Sequence, residues 1–203
     1  VPAVDHPVFD HEGPWTEDAY LALTDNDGRV EVVDGTLLIG PDTSGQRAVV
    51  ASRLGELVRA ALPDGLRLLR STPLRLSRDC VLIPEFAVTN KAVLPEPGHG
   101  PASVLDASDV LMVIEVVGQD HGAADRLLKP QLYARSRIPY SLLVDHDAPF
   151  ASAEMIISGR YYEYASAGDG TVLRLDEPFP LQLDLAAVTA RGGRPEASTP
   201  AAS

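Results

Sequence analysis

One cysteine, Cys80, is all the thiol chemistry this chain of 203 residues possesses. A single thiol excludes an internal disulfide and any multi-cysteine metal cluster, and it fits a reducing compartment such as the cytoplasm. Long apolar runs are also missing. Glu115 cuts the longest one well short of a membrane span, so no membrane partner is expected. The first residues lack a basic segment followed by an apolar core, so no secretory signal is expected there. The chain opens on Val1, as expected where upstream residues have been removed. A phosphate-cradling glycine loop is absent too, because Gly98-His99-Gly100 runs into Pro101 and opens no helix. There is no G-x-S-x-G elbow, and Cys80 has no histidine at a telling spacing. Positive charge is scarce. Lys and Arg number 17 against 29 Asp and Glu, a formal net charge of −12 that weighs against nonspecific nucleic-acid binding.

What is present is ordinary for a globular protein: 45% hydrophobic and 23% charged residues, enough for one large domain or one domain with tails. The charge is unevenly spread. Residues 1–44 hold ten acids and one base, residues 45–80 hold seven arginines against Glu56, Asp64 and Asp79, and residues 126–137 hold four bases and no acid. A basic face beside an acidic one is therefore open, as is the plainer reading of arginines on helix surfaces.

Along the chain, Thr16 can cap a short helix whose first turn carries Glu17 and Asp18. Arg29–Ile39 reads as a hairpin turning at Asp34-Gly35, with Glu31 and Val33 on one face. Residues 43–62 read as a helix with Val49, Val50, Leu54, Leu57, Val58 and Ala61 inward, ended by Pro63-Asp64-Gly65. One or two strands follow between Leu66 and Leu76, then an apolar strand, Val81–Val88. A loop near 90–109 carries three prolines and His99, which has no second histidine at ligand spacing. Beyond Asp147-Ala148-Pro149, short strands near Met155–Ile157, Tyr161–Tyr164 and Val172–Leu175 are expected as antiparallel additions to one side of the sheet. Residues 191–203 have too little apolar surface to fold.

The most informative stretch is Leu111–Asp145. Leu111–Val117 is a strand covered on both faces, interrupted only by Glu115. A carboxylate there costs several kcal/mol unless paired, so it is either a strand-end acid reaching an arginine or a metal ligand. Downstream, Asp125 and Lys129 share a helical face with Tyr133, while Leu128 and Leu132 hold the helix down. Glu85 repeats the theme as a lone acid in Val81–Val88. Two buried strands with one acid each, followed by a helical lysine, offer hard oxygen ligands for Mg²⁺ and an ammonium for phosphate charge.

These segments resemble the bacterial restriction-endonuclease family of the Uma-two type, within the PD-(D/E)XK nuclease superfamily. The resemblance runs from about Trp15 to Leu185 and rests on WTEDAYLAL, VEVVDGTLLIGP, IPEFAV, LMVIEVV and DRLLKPQLYARSRIPYSLLVD in that order. It implies an α/β fold with a restriction-endonuclease-like mixed central sheet flanked by helices, with added antiparallel strands. It also implies a cytoplasmic, Mg²⁺- or Mn²⁺-dependent hydrolase of DNA phosphodiesters, acting as a homodimer. By the same resemblance Glu85 and Glu115 match the two metal-binding acids, with the Val116 carbonyl as a third ligand. Lys129 matches the catalytic lysine, moved onto the helix, and Glu31 an N-terminal acid beside the site. The implied organisation is an arm at 1–14, the nuclease-like domain at 15–189 and a disordered tail at 190–203.

The chain departs from the family pattern at several points. Glu85 replaces an aspartate, Val117 stands where a lysine is usual, and Ser44-Gly45-Gln46 lacks the common histidine. Gly118-Gln119-Asp120-His121 replaces a Ser/Thr-rich turn, and Pro130 follows Lys129 and should kink its helix. The alternative function is accordingly a non-catalytic nuclease-fold module for interaction or assembly, with a degenerate active site.

Overall fold

The computed structural model describes residues 11–23, 29–40, 45–93, 104–119, 124–168 and 170–190. Residues 1–10 of the expected arm (1–14) and 191–203 of the expected tail (190–203) lie outside them, as do His99 and His121. His11 stacks on Trp15, and the Trp15 amide donates to the Gly35 carbonyl, so the chain is already seated against the domain there. Helix α1 (Glu17–Leu21) is capped by Thr16, whose hydroxyl accepts from the Ala19 amide. Strands β1 (Arg29–Val33) and β2 (Thr36–Gly40) form the expected hairpin. Asp34 and Gly35 both take positive φ, as a two-residue turn matching strand twist requires.

Two sheets then divide the chain. The first has the order β2-β1-β5-β4-β7, where β4 is Leu74–Ser77, β5 Cys80–Leu82 and β7 Leu105–Asp106. The second has the order β11-β10-β9-β8-β6-β3 and is built from β3 (Leu66–Arg70), β6 (Phe86–Asn90), β8 (Val110–Val117), β9 (Tyr140–Asp145), β10 (Phe150–Ile157) and β11 (Arg160–Ala167). It is mixed, because β8 and β9 run parallel through the helical crossover between them while its other neighbours are antiparallel. The single strand expected over Val81–Val88 is thus two strands in different sheets. Pro84 explains the break, since it has no N–H to give a ladder. Ile83, Pro84 and Glu85 step from one sheet to the other.

The crossover helix α3 (Lys129–Arg135) is preceded by a wider π-helical turn, Ala124–Leu128. Pro130 lies one residue inside α3, and its missing amide falls where the winding changes. The expected distortion takes this form without carrying Lys129 away from Asp125.

Helix α2 (Gln46–Ala61) buries Val50, Ala51, Leu54 and Val58 against β6 and β8. Its inner stripe is rotated from the expected one: Leu57 is exposed, Val49 is half-buried, and Arg47 and Gly55 are buried instead. Gly55 is there because the Phe86 ring would meet a Cβ at 2.9 Å. The final strands also differ from expectation. Only β10 and β11 extend the large sheet. The strands β12 (Val172–Leu175) and β13 (Leu181–Asp184) pair as a separate ribbon, followed by α4 (Leu185–Thr189), and together they close the main core over α2. Gln46 and Arg53 of α2 donate to the carbonyls at the end of α4. Among the described residues no helix is long and apolar enough to cross a membrane.

Candidate active site

A strand buried on both faces has nowhere to send an acid except toward another polar group, and β8 sends Glu115 toward α3. The other side chains of that strand are apolar: Met112, Ile114 and Val116 enter the main core, and Val113 enters the second core beneath α3. Glu115 alternates with them and is 3% exposed. Its Oε1 accepts from the Tyr133 hydroxyl at 2.8 Å and lies 3.8 Å from Lys129 Nζ. The same amine is 2.8 Å from Glu31 Oε2 on β1 and 2.6 Å from Asp125 Oδ1 on the π-helical turn. Glu31 is fixed in turn, since its Oε1 accepts from the Ile83 amide at 2.6 Å.

Lys129 is therefore 2% exposed and in ion-pair reach of three carboxylates brought from three elements. Removing an ammonium and a carboxylate from water costs several kcal/mol per ion, which only close pairing and hydrogen bonds offset. The Asp125–Lys129 pair is not the exposed helical pair worth a few tenths of a kcal/mol, because the lysine is enclosed. Nor is Glu31 a solvated strand position, at 3% exposed. With three acids around one amine, negative charge is in excess. Burial first, and then the Glu31 charge, push the nearby Tyr20 phenol above its ordinary pKa.

Glu85 is held differently. It is fully buried, with Oε2 3.1 Å from Arg47 Nη2 and Oε1 3.2 Å from Arg70 Nε. Arg47 is buried, whereas Arg70 is 45% exposed and lies over the Phe86 ring. Phe86 pairs with Ile114, so Glu85 and Glu115 sit at adjoining ends of neighbouring strands. Val116, the proposed carbonyl ligand, follows Glu115 with its side chain on the opposite face of the sheet. The residues that sequence reasoning passes over are Arg47 and Arg70. Arg47 has a visible signal, since Arg47, Val50, Ala51 and Leu54 fall on one helical stripe. Below the site, Arg126 joins Asp145 at 2.8 Å and donates to the Gly118 carbonyl, tying the π-helical turn to the ends of β8 and β9.

Among the described residues, no three acid, histidine or cysteine side chains gather closely enough to cage a metal ion by themselves. Lys129 stands between the acids it pairs with. Mg²⁺ seldom needs such a cage, because it keeps several waters and takes one or two carboxylates plus phosphate oxygens. Two hard carboxylates on adjoining strand ends and an excess of acids around Lys129 fit that open, hydrated mode in kind. The two arginines on Glu85 compete with it.

A mixed sheet with a parallel pair joined by a helical crossover, flanked by helices and an added antiparallel ribbon, defines a restriction-endonuclease-like fold. Comparison with known proteins gives the particular family. Residues 17–188 match the Uma2 family, described as "Putative restriction endonuclease", and the chain belongs to it. A crystal structure described as a "putative nuclease belonging to DUF820" from Anabaena variabilis is similar over 87% of this chain and 98% of that one, with a TM-score of 0.69 and 14% identity. At that identity the likeness is one of fold. No protein with curated annotation matches.

Proposed function

We propose that this protein is a divalent-metal-dependent endonuclease hydrolysing DNA phosphodiester bonds, with Mg²⁺ or Mn²⁺ as the ion. The observation that carries the reading is the enclosed Lys129 amine, 2.8 Å from Glu31, 2.6 Å from Asp125 and 3.8 Å from Glu115. With three acids in reach, the amine can give up one and remain paired.

In this reading Glu85, Glu115 and the Val116 carbonyl would hold the ion, which would supply Lewis-acid activation of water and of the phosphate. Lys129, on giving up one carboxylate, would orient the attacking water and oppose the charge that grows on the phosphoryl oxygens. Water adds to phosphorus, one P–O ester bond breaks, and the leaving oxygen takes a proton. Glu31 would hold the amine in position from β1, its own orientation fixed by the Ile83 amide. Tyr133 would keep Glu115 in one rotamer through its hydroxyl. Glu85 would need to release Arg70 or Arg47, and Arg70, half-exposed, is the freer of the two.

A second reading is supported by that clamp on Glu85: a non-catalytic nuclease-fold module whose acids only stabilise the fold. One experiment separates the two. Chelator-stripped protein is titrated with Mn²⁺ by calorimetry, then incubated with plasmid and linear duplex DNA in Mg²⁺. Wild type should bind the ion and nick DNA, while Glu115→Ala and Lys129→Met should lose cleavage by about 10²-fold or more. Equal cleavage by wild type and Glu115→Ala rejects the site, and neither binding nor cleavage leaves the module.

A further inference from the structure

The face of α3 turned away from Glu115 carries a feature the site does not use. Between that face and the β10–β11 hairpin runs an open groove of about 510 Å³, lined by Gln131 and Arg135 from the helix and by Glu154, Arg160 and Tyr161 from the hairpin. It continues into a second depression of about 460 Å³ that shares Arg135 and adds Arg137. Arg135, Arg137 and Arg160 are exposed and form no ion pair with any described residue. Arg47, Arg70, Arg75 and Arg126 are each committed to a carboxylate, while Arg59, Arg67, Arg78 and Arg174 also form no ion pair with a described residue but do not line this groove. In a chain of net charge −12, three uncommitted guanidiniums along one trough concentrate positive potential where most of the surface is negative.

The walls are held in place. Ser158 and Gly159 both take positive φ in the hairpin turn, which sets Arg160 beside α3. The Tyr161 hydroxyl donates to the Ile138 carbonyl at 2.9 Å, pinning the hairpin to the residues after the helix. Glu154 is the acid in the groove, half-buried. An open trough with donors spaced along it suits a chain of anions better than one enclosed small anion. Guanidinium forks match phosphate oxygens in pairs.

We propose that this groove is a second nucleic-acid contact, where Arg135, Arg160 and Arg137 hold backbone phosphates away from the scissile bond. Arg135 is six residues from Lys129, about 9 Å along the helix axis, and the two project from different faces of it. The groove therefore takes flanking strand rather than the reacting phosphate. The proposal rests on the nucleic-acid reading of the protein but not on hydrolysis.

The test is duplex and single-strand DNA binding by fluorescence anisotropy in chelator, where no cleavage can intrude. Wild type, Arg135→Glu/Arg160→Glu and the milder Arg135→Gln/Arg160→Gln are compared, with matched thermal unfolding to establish folding. The reversed pair should weaken binding at least about tenfold near 50 mM salt, and the Gln pair should lower the log–log salt slope by about 1.8 for two lost duplex phosphates. Unchanged affinity and slope in both pairs overturns the groove while leaving the nuclease reading intact. Weakened binding with no cleavage in Mg²⁺ keeps the groove and removes the nuclease. Wild type that does not bind DNA in chelator overturns the groove, and the nuclease reading is then judged by cleavage in Mg²⁺ alone.

Discussion

Replacing Lys129 by methionine should destabilise the protein by about 3–5 kcal/mol, the range for breaking a buried pair and stranding its partner. The magnitude follows from what remains. Methionine nearly fills the space of the lysine stem, so the loss is of charge rather than volume. Glu31 and Glu115, each 3% exposed, lose a cationic partner. Each keeps a described hydrogen bond, from the Ile83 amide and the Tyr133 hydroxyl respectively, and these offset a minor part of the loss. Asp125 is partly exposed and can turn to water. Against a typical total of about 5–15 kcal/mol, the variant stays folded only with a reduced margin. The single change Glu31→Gln should cost about 1.5–3 kcal/mol, since Lys129 keeps Asp125 and Glu115. The combined variant should be more stable than the sum of the two by about 1–3 kcal/mol, as expected for residues in direct contact. Urea unfolding followed by circular dichroism measures all three, with m unchanged if the native and unfolded states keep their compactness. A loss under about 1 kcal/mol for Lys129→Met, or strict additivity, would refute the enclosed ion network.

Other consequences can be checked alongside. Gly55→Ala should destabilise by about 1–3 kcal/mol from the forced contact with Phe86, outweighing the gain of at most about 1 kcal/mol in helix propensity, as a urea midpoint will show. Burial above all, aided by the Asp34 charge, pushes the Cys80 thiol up to about 11, so iodoacetamide at pH 8 should label only unfolded protein; rapid labelling of the native state contradicts this. Burial by itself raises the Asp145 carboxyl, but the Arg126 side chain and the Ala148 and Asp147 amides outweigh it and hold the pKa below the ordinary 3.8. Its stabilising effect is therefore complete at neutral pH and fades as pH falls from about 3.8 through the lower folded value. Asp145→Asn should be less stable than wild type at pH 7, with the gap narrowing on acidification.

How much can be read from the chain alone depends on whether a signal is local. Strand β8 announces itself because seven of its eight residues are apolar, and Asp34-Gly35 fixes its hairpin because few other pairs accept positive φ at both positions. The Asp125, Lys129 and Tyr133 spacing places all three on the face that meets Glu115. The split at Pro84 escapes a sequence reading because the apolar run continues on both sides, and hydrophobicity does not say which sheet a strand joins. The ribbon of β12 and β13 and helix α4 are hard to place because each is five residues or fewer, although Asp184 carries a cap, accepting from the Ala187 amide. The Arg47 and Arg70 grip on Glu85 is hidden by distance in the chain. An arginine on a helix or strand end reads as solvated until an acid far away in sequence is brought beneath it.

The lid formed by β12, β13 and α4 bears on how the protein is made. Leu173, Phe179, Leu183 and Val188 belong to the same apolar cluster as Val50, Phe86 and Ile114, yet they emerge from the ribosome after the rest of it. At about 5–20 residues per second, the oily side of a finished sheet stays bare for seconds or longer while the closing segment is synthesised. Nascent chains stalled before residue 172 should therefore be held by chaperones, and release should follow the docking of α4 beneath Gln46 and Arg53.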